Sequence, residues 1–209
     1  MNGIDILLHK AILQSIQKEI DSKRFHDIEQ SLQKQGIKFS DLINKFGEIR
    51  KPLFEFEEEM KRIEDVVFRE FLVIEKSHGE TWLTIKSHYL TESILKTFAD
   101  DDKKRILDFM RTKSETIPRT LVSCNLPNTS GYRKMRQLID DGFVIPAGLV
   151  ETIEGRRAML YKSIIQKIQI VIDKNEIHAK ISVPKEVIGS SGIVKMLVEA
   201  GQGKRIIAN

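Results

Sequence analysis

The chain has 209 residues, 41% hydrophobic and 31% charged, with a formal net charge of +4. That composition supports one large core or two small ones and excludes a long disordered chain. A single cysteine, Cys124, excludes an internal disulfide and a cysteine zinc cluster, and no apolar run nears the ~20 residues needed to cross a bilayer.

The five histidines (His9, His26, His78, His88, His178) show no metal-ligand spacing, so neither metal nor cofactor is expected. The start of the chain has a short apolar patch but no basic leader and no small-residue cleavage site. It reads as a helix start in a cytoplasmic protein. Charge is uneven along the chain. Residues 1–99 hold 15 Lys/Arg against 17 Asp/Glu, residues 100–165 hold 12 against 9, and residues 166–209 hold 7 against 4. The positive excess falls in the last two segments, where a polyanionic partner is plausible.

In chain order, Ile4 to Gln35 is helical by period, with Ile6, Leu7, Ala11, Ile12, Leu13, Ile16 and Ile20 three and four apart. The polar stretch Asp21 to Arg24 can divide it in two. Gly36 sits where a helix C-terminal glycine belongs. A short helix or turn is expected around Leu42, Ile43 and Phe46. Pro52 then opens a helix to Phe71, with Phe56, Met60, Ile63, Val67 and Phe71 on one face and the acidic cluster Glu55 to Glu59 early in it.

Residues 71–85 predict a β-hairpin turning at His78-Gly79, and His88 to Phe98 a connecting helix. Residues 100–165 predict three helices and a two-stranded wing. Asp100 to Asp102 start the first helix, which faces inward with Ile106, Leu107, Phe109 and Met110. Ile117-Pro118 starts the second, with Leu121, Val122 and Cys124 facing in. Leu126 plugs the turn, and Thr129 to Asp141 forms the third helix over Met135, Leu138 and Ile139. Phe143–Thr152 and Ala158–Ile165 are the wing strands. A second hairpin follows, with Ile168, Ile170 and Ile172 alternating out and Ile177, Ala179, Ile181 and Val183 alternating back. Val187 to Ala200 reads as short helix or further strand, and Gly201 to Asn209 as frayed.

The expected class is therefore α+β. A mainly helical segment 1–99, with hairpin 71–85 and connecting helix 88–98, serves for sensing or oligomerisation. A winged helix-turn-helix occupies 100–165, and a C-terminal hairpin and tail occupy 166–209. Setting Met135 and Leu138 inward turns Thr129, Ser130, Tyr132, Arg133 and Arg136 outward on the third helix. Hydroxyls near its amino end suit phosphate, and either arginine can pair bidentately with guanine in a major groove. Gly155 permits a tight wing turn that carries Arg156 and Arg157 toward a minor groove or flanking phosphates. Lys103, Lys104 and Arg105 are further phosphate candidates or plain solvated surface.

Residues 100–165 resemble the winged helix-turn-helix domains of prokaryotic and archaeal transcription regulators, the ArsR-like and MarR-like group. The resemblance rests on Leu121-Val122, Leu126, the helix Thr129 to Leu138, Asp141-Gly142-Phe143-Val144, and Gly155-Arg156-Arg157 with Tyr161. It implies a homodimer on a pseudo-palindromic stretch of double-stranded DNA, with a small-molecule or protein effector unspecified. Gly131 departs from the apolar residue usual at its position, which predicts weaker inward packing there. The metal-sensing cysteine pair of the ArsR kind is missing. Gly36-Ile37 to Phe71 faintly resembles small helical output domains of archaeal signalling proteins.

The alternative expectation is a protein-interaction adaptor, working through Glu55–Glu59 and the edge of the tail hairpin without DNA. An enzyme is not expected. Gly189-Ser-Ser-Gly192 lacks the Lys and Thr of a phosphate loop, and the contiguous Glu57, Glu58 and Glu59 point different ways on a helix.

Overall fold

The computed structural model describes residues 3–38, 56, 58–59, 61, 71–77, 80–152, 155–174, 176–197 and 207–208. The fold is α+β, with a five-stranded sheet, a separate two-stranded wing and helices packed around both. The expected short helix around Leu42 to Phe46, and most of the expected helix Pro52–Phe71, lie outside the described residues. Of that helix's apolar face, Phe56 and Phe71 are buried.

Helix α1 (Gly3–Glu19) is the spine. Ile4, Leu7, Leu8, Ala11, Ile12 and Ile16 are each at most 3% exposed. Spacings of three and four on a helix place them along one broad side. The predicted break falls at Asp21, whose carboxylate accepts from the amides of Lys23 and Arg24 and starts α2 (Ser22–Lys34). That helix ends on Gly36 at φ +70°, with Gly36 N–H donating to Gln33 O and Ile37 N–H to Leu32 O. Both bonds satisfy last-turn carbonyls, and only glycine takes that backbone without strain.

Strands β1 (Leu72–Ser77) and β2 (Glu80–Ile85) form the expected hairpin. Its central partner lies far along the chain. β2 pairs antiparallel with β6 (Glu176–Val183), which pairs with β5 (Lys167–Asp173), and a short β7 (Ile207–Ala208) joins β1 in parallel. The order is β5-β6-β2-β1-β7. Leu83, Ile85, Ala179 and Ile181 lie in adjacent register and are fully buried beneath α3 (His88–Phe98), which adds Leu90 and Ile94.

One sheet thus unites residues that the sequence reading assigned to separate first and last segments. Alternation within each hairpin reveals a strand but not its partner, because pairing between distant strands leaves no local mark. The tail after β6 is helical, α7 (Lys185–Gly189) and α8 (Gly192–Leu197). Asp5 of α1, buried at 6% exposure, accepts from the Ser191 hydroxyl and from the amides of Gly192 and Ile193. A carboxylate there satisfies first-turn donors of α8 and ties α1 to the tail helices.

The middle segment has the expected order of three helices and a wing. Asp100 caps α4 (Asp101–Thr112) by accepting from Asp102 and Lys103 amides. α5 (Ile117–Ser123) and α6 (Asn128–Asp140) follow, then β3 (Val144–Glu151) and β4 (Arg157–Ser163). Glu115, between α4 and α5, exchanges backbone hydrogen bonds with Tyr161 at 2.9 and 3.0 Å and anchors the wing base.

Val122 does not face inward. It is 78% exposed, while Thr120, Leu121 and Cys124 are buried. One residue is 100° of helix turn, so the inward side set by Leu121 and Cys124 leaves Val122 outside.

The spine holds this unit tightly. Gly142, at φ +82°, lies so close to α1 that a β-carbon on it would come within 2.7 Å of Gly3 O and 2.9 Å of Leu7 N. Lys10 Nζ donates to Asp140 O at 2.8 Å and pairs with Asp141 at 2.9 Å. Gly36, by contrast, has the same handedness and open space around its Cα. Gly142→Ala is therefore expected to cost about 3 kcal/mol from strain plus collision, and Gly36→Ala about 1 kcal/mol from strain alone. Urea unfolding of the two variants checks this, and equal losses would contradict the packing of α1 on Gly142.

Candidate nucleic-acid interface

Helix α6 has a clean division of sides. Gly131, Met135 and Leu138 are buried, with Met135 at 0% and Leu138 at 1% exposure. Thr129, Tyr132, Arg133, Arg136 and Gln137 are exposed. Thr129 lies three and four residues before Tyr132 and Arg133, and Arg136 lies four and three after them, so the four share the outer side. Neither Arg133 nor Arg136 makes an ion pair with a described residue. Ser130 is half-buried, and its hydroxyl donates back to Pro127 O at 3.4 Å, so it is turned into its own helix.

Gly131 corrects one expectation. Its inner side meets Leu121 of α5, and a β-carbon there would lie 2.6 Å from Leu121 Cδ2 and 3.0 Å from Cδ1. The glycine leaves room for the Leu121 side chain, which would have to shift if residue 131 carried a β-carbon. Leu126 closes the turn at 8% exposure, and its amide donates to Leu121 O at 2.9 Å. The amino end of α6 has no side-chain cap, which leaves first-turn amides beside Thr129.

Lys134 is the residue that sequence reasoning passed over. It sits between Arg133 and Met135 on α6, and its side chain is only 15% exposed. Its ammonium bonds both oxygens of Asp100 at 2.6 and 2.8 Å and Asp102 at 2.9 Å. Arg105 also pairs with Asp102 and donates to Cys124 O at 3.0 Å. The charge of Lys134 is therefore engaged within the protein, while Arg105 stays at the surface, and the phosphate role considered for it competes with these bonds. Lys104 remains exposed. The hydrogen bond to Asp100, then that to Asp102, holds the Lys134 ammonium above its ordinary pKa. Hydrogen bonds from Lys134 and Arg105 hold Asp102 below the usual carboxylate range. For Asp100 burial pushes upward most strongly, but Lys134 and the Lys103 and Asp102 amides together prevail and lower it. Burial raises the Cys124 thiol, partly countered by Arg105.

The wing stands away from the body. From Pro146 to Glu151 every β3 residue is exposed, with a register shift between Pro146 and Gly148. Gly155 sits at the turn with φ +72°, and Thr152 N–H donates to Arg156 O at 2.7 Å. Arg156 and Arg157 are both exposed, and Arg157 lies opposite Glu151 in register. The two sets of site residues thus belong to two elements, an outer helix side carrying Thr129, Tyr132, Arg133 and Arg136, and a projecting hairpin carrying Arg156 and Arg157.

Among the described residues no group of His, Cys, Asp or Glu is gathered closely enough to hold a metal ion, and no helix is long and apolar enough to cross a membrane. No protein-family model, curated protein or solved structure matches the chain.

The Lys134 cluster has a pH signature. The lowered carboxylates stabilise the fold fully above the ordinary aspartate pKa of about 3.9, and this is lost as pH falls through their folded values. The raised lysine stabilises fully below about 10.4, and this is lost as pH rises through its folded value. Lys134→Met should lower the thermal midpoint at neutral pH and leave Asp100 and Asp102 repelling each other, so acidification below pH ~4 should narrow the gap to wild type. Parallel pH profiles for the two proteins would contradict the cluster.

Proposed function

We infer that this protein is a DNA-binding transcriptional regulator, acting as a cytoplasmic homodimer, with α6 in the major groove and the wing on flanking DNA. One observation carries the reading. The outer side of α6 presents Thr129, Tyr132, Arg133 and Arg136 to solvent, while its inner row Gly131, Met135 and Leu138 is buried and the adjacent Lys134 is neutralised internally. A groove-entering helix needs that division, because it must be braced from behind and offer donors in front. Arginine suits the task, since its fork matches guanine O6 and N7. Thr129 and the uncapped first turn suit a phosphate. The wing arginines add backbone or minor-groove contacts, which supply affinity more than sequence preference. A homodimer follows from the gain of two linked half-site contacts.

A second reading has its own support. Leu149, Val150 and Met159 leave the wing 57%, 39% and 39% exposed, more apolar surface than phosphate contact requires. A protein-interaction adaptor would use such a surface and would not need DNA.

Selection from random duplexes followed by fluorescence anisotropy tests the first reading. Arg133→Ala/Arg136→Ala should weaken binding to the selected duplex about 100-fold, from roughly 1–3 kcal/mol per bidentate contact, and flatten sequence preference. Arg156→Ala/Arg157→Ala should instead weaken all duplexes alike and reduce the slope of log affinity against log salt by about 2. Wild-type protein indifferent to every duplex at low salt, with a stoichiometric protein partner that ignores these substitutions, would favour the adaptor.

A further inference from the structure

Strand β5 is the outer member of the five-stranded sheet and has β6 as its single described neighbour. An edge strand offers every second N–H and C=O outward, and natural edges are usually blunted by charge, proline or a bulge. β5 carries none of these between Ile168 and Ile172. Its apolar row continues past the helix that covers the sheet. Ile168, Ile170 and Ile172 face the same side as Ile181, Ala179 and Ile177 of β6 by register. Ile170 is 36%, Ile172 73% and Ile177 47% exposed. Leu95 of α3, 45% exposed, borders the same patch across a shallow groove of about 310 Å³ shared with Phe98, Ile168 and Ile170.

The seven residues Lys167-Ile-Gln-Ile-Val-Ile-Asp173 are complementary to themselves when reversed. Laid antiparallel about Ile170, Ile170 meets its own copy. Ile168 meets Ile172, Gln169 meets Val171, and Lys167 at one end meets Asp173 at the other. Directly opposed residues in an antiparallel pair point to the same side of the sheet. The isoleucine rows of two copies therefore merge on one side, and opposite charges close both ends on the other. A slip of one residue would set the apolar row against the polar one. Lys167 also pairs with Glu80 of its own chain, at 59% side-chain exposure, so it bridges two carboxylates in this arrangement.

The geometry points to β5 as the dimer seam, pairing with β5 of a second copy about a two-fold axis at Ile170 and joining two five-stranded sheets into one. This rests on the proposal that the protein works as a homodimer. A two-fold pairing is closed and consumes both bare edges, whereas any head-to-tail pairing would leave one open.

Sedimentation equilibrium of the full chain, without DNA, measures the assembly directly. Wild type should be dimeric at micromolar concentration. Ile170→Lys sets two like charges face to face at the axis and should raise the dissociation constant at least about 100-fold. In case that variant misfolds, cysteine placement reads the register independently. Ile170→Cys should form a covalent dimer on mild oxidation, because Cα atoms of opposed residues lie about 4.5–5.5 Å apart, within disulfide reach. Ile172→Cys should not, because residue 172 opposes residue 168. Wild type as control accounts for the buried native Cys124. A monomeric wild type overturns the seam, as does a dimer that survives Ile170→Lys and gives no Ile170→Cys cross-link. A monomeric wild type would also remove the homodimer from the proposed function, whereas a dimer that ignores both substitutions would remove the seam alone; base contact by α6 is tested separately by the Arg133 and Arg136 variants.

Discussion

The seat of α6 on α5 is the contact from which the rest follows. Leu121 packs where a β-carbon on residue 131 would sit, and Met135 and Leu138 on the same side of α6 are buried with essentially no exposure. Burying those groups removes about 25 cal/mol per Å² of apolar surface from water and fixes the helix's rotation about its axis. Rotation decides chemistry here. The 100° step between residues means that burying 131, 135 and 138 obliges 129, 132, 133 and 136 to face solvent. The Lys134 bridge to Asp100 and Asp102 then locks the helix to the start of α4.

The second constraint is the spine. α1 touches the wing base through Gly142, the end of α6 through Lys10, and the tail helices through Asp5. The buried apolar residues form one continuous cluster running from Ile4 to Val194. The three-helix unit is therefore built into the molecule between two strands of one sheet, not tethered to it by a linker. Closely packed interiors transmit displacement poorly by continuous deformation and well by switching between discrete arrangements. The contacts of α1 with Gly142 and Asp141 join the first half directly to the end of α6.

What the sequence disclosed follows the range of the physics. Helices and hairpins came through because their periods are local. Asp21, Gly36, Asp100 and Pro118 punctuate where capping and proline chemistry require. The inner and outer sides of α6 were legible from Met135 and Leu138. Three features were not. β2 and β6 are neighbours across nearly a hundred residues, and nothing in either strand names the other. Gly131 read as a weak point because propensity speaks only of the isolated helix, while its value lies in what Leu121 does opposite. The role of Lys134 was not legible because its two carboxylate partners sit more than thirty residues earlier. Val122 failed for a simpler reason, since a seven-residue helix offers too few turns for its apolar residues to define a side.

The central claim is that the outer side of α6 reads base edges. Methylation protection on a selected duplex tests it most directly, because dimethyl sulfate attacks guanine N7 in the major groove. Wild-type protein should protect guanine N7 within each half-site, and replacing Arg133 and Arg136 by alanine should abolish that protection. Full occupancy of the duplex with every guanine N7 left reactive would contradict it.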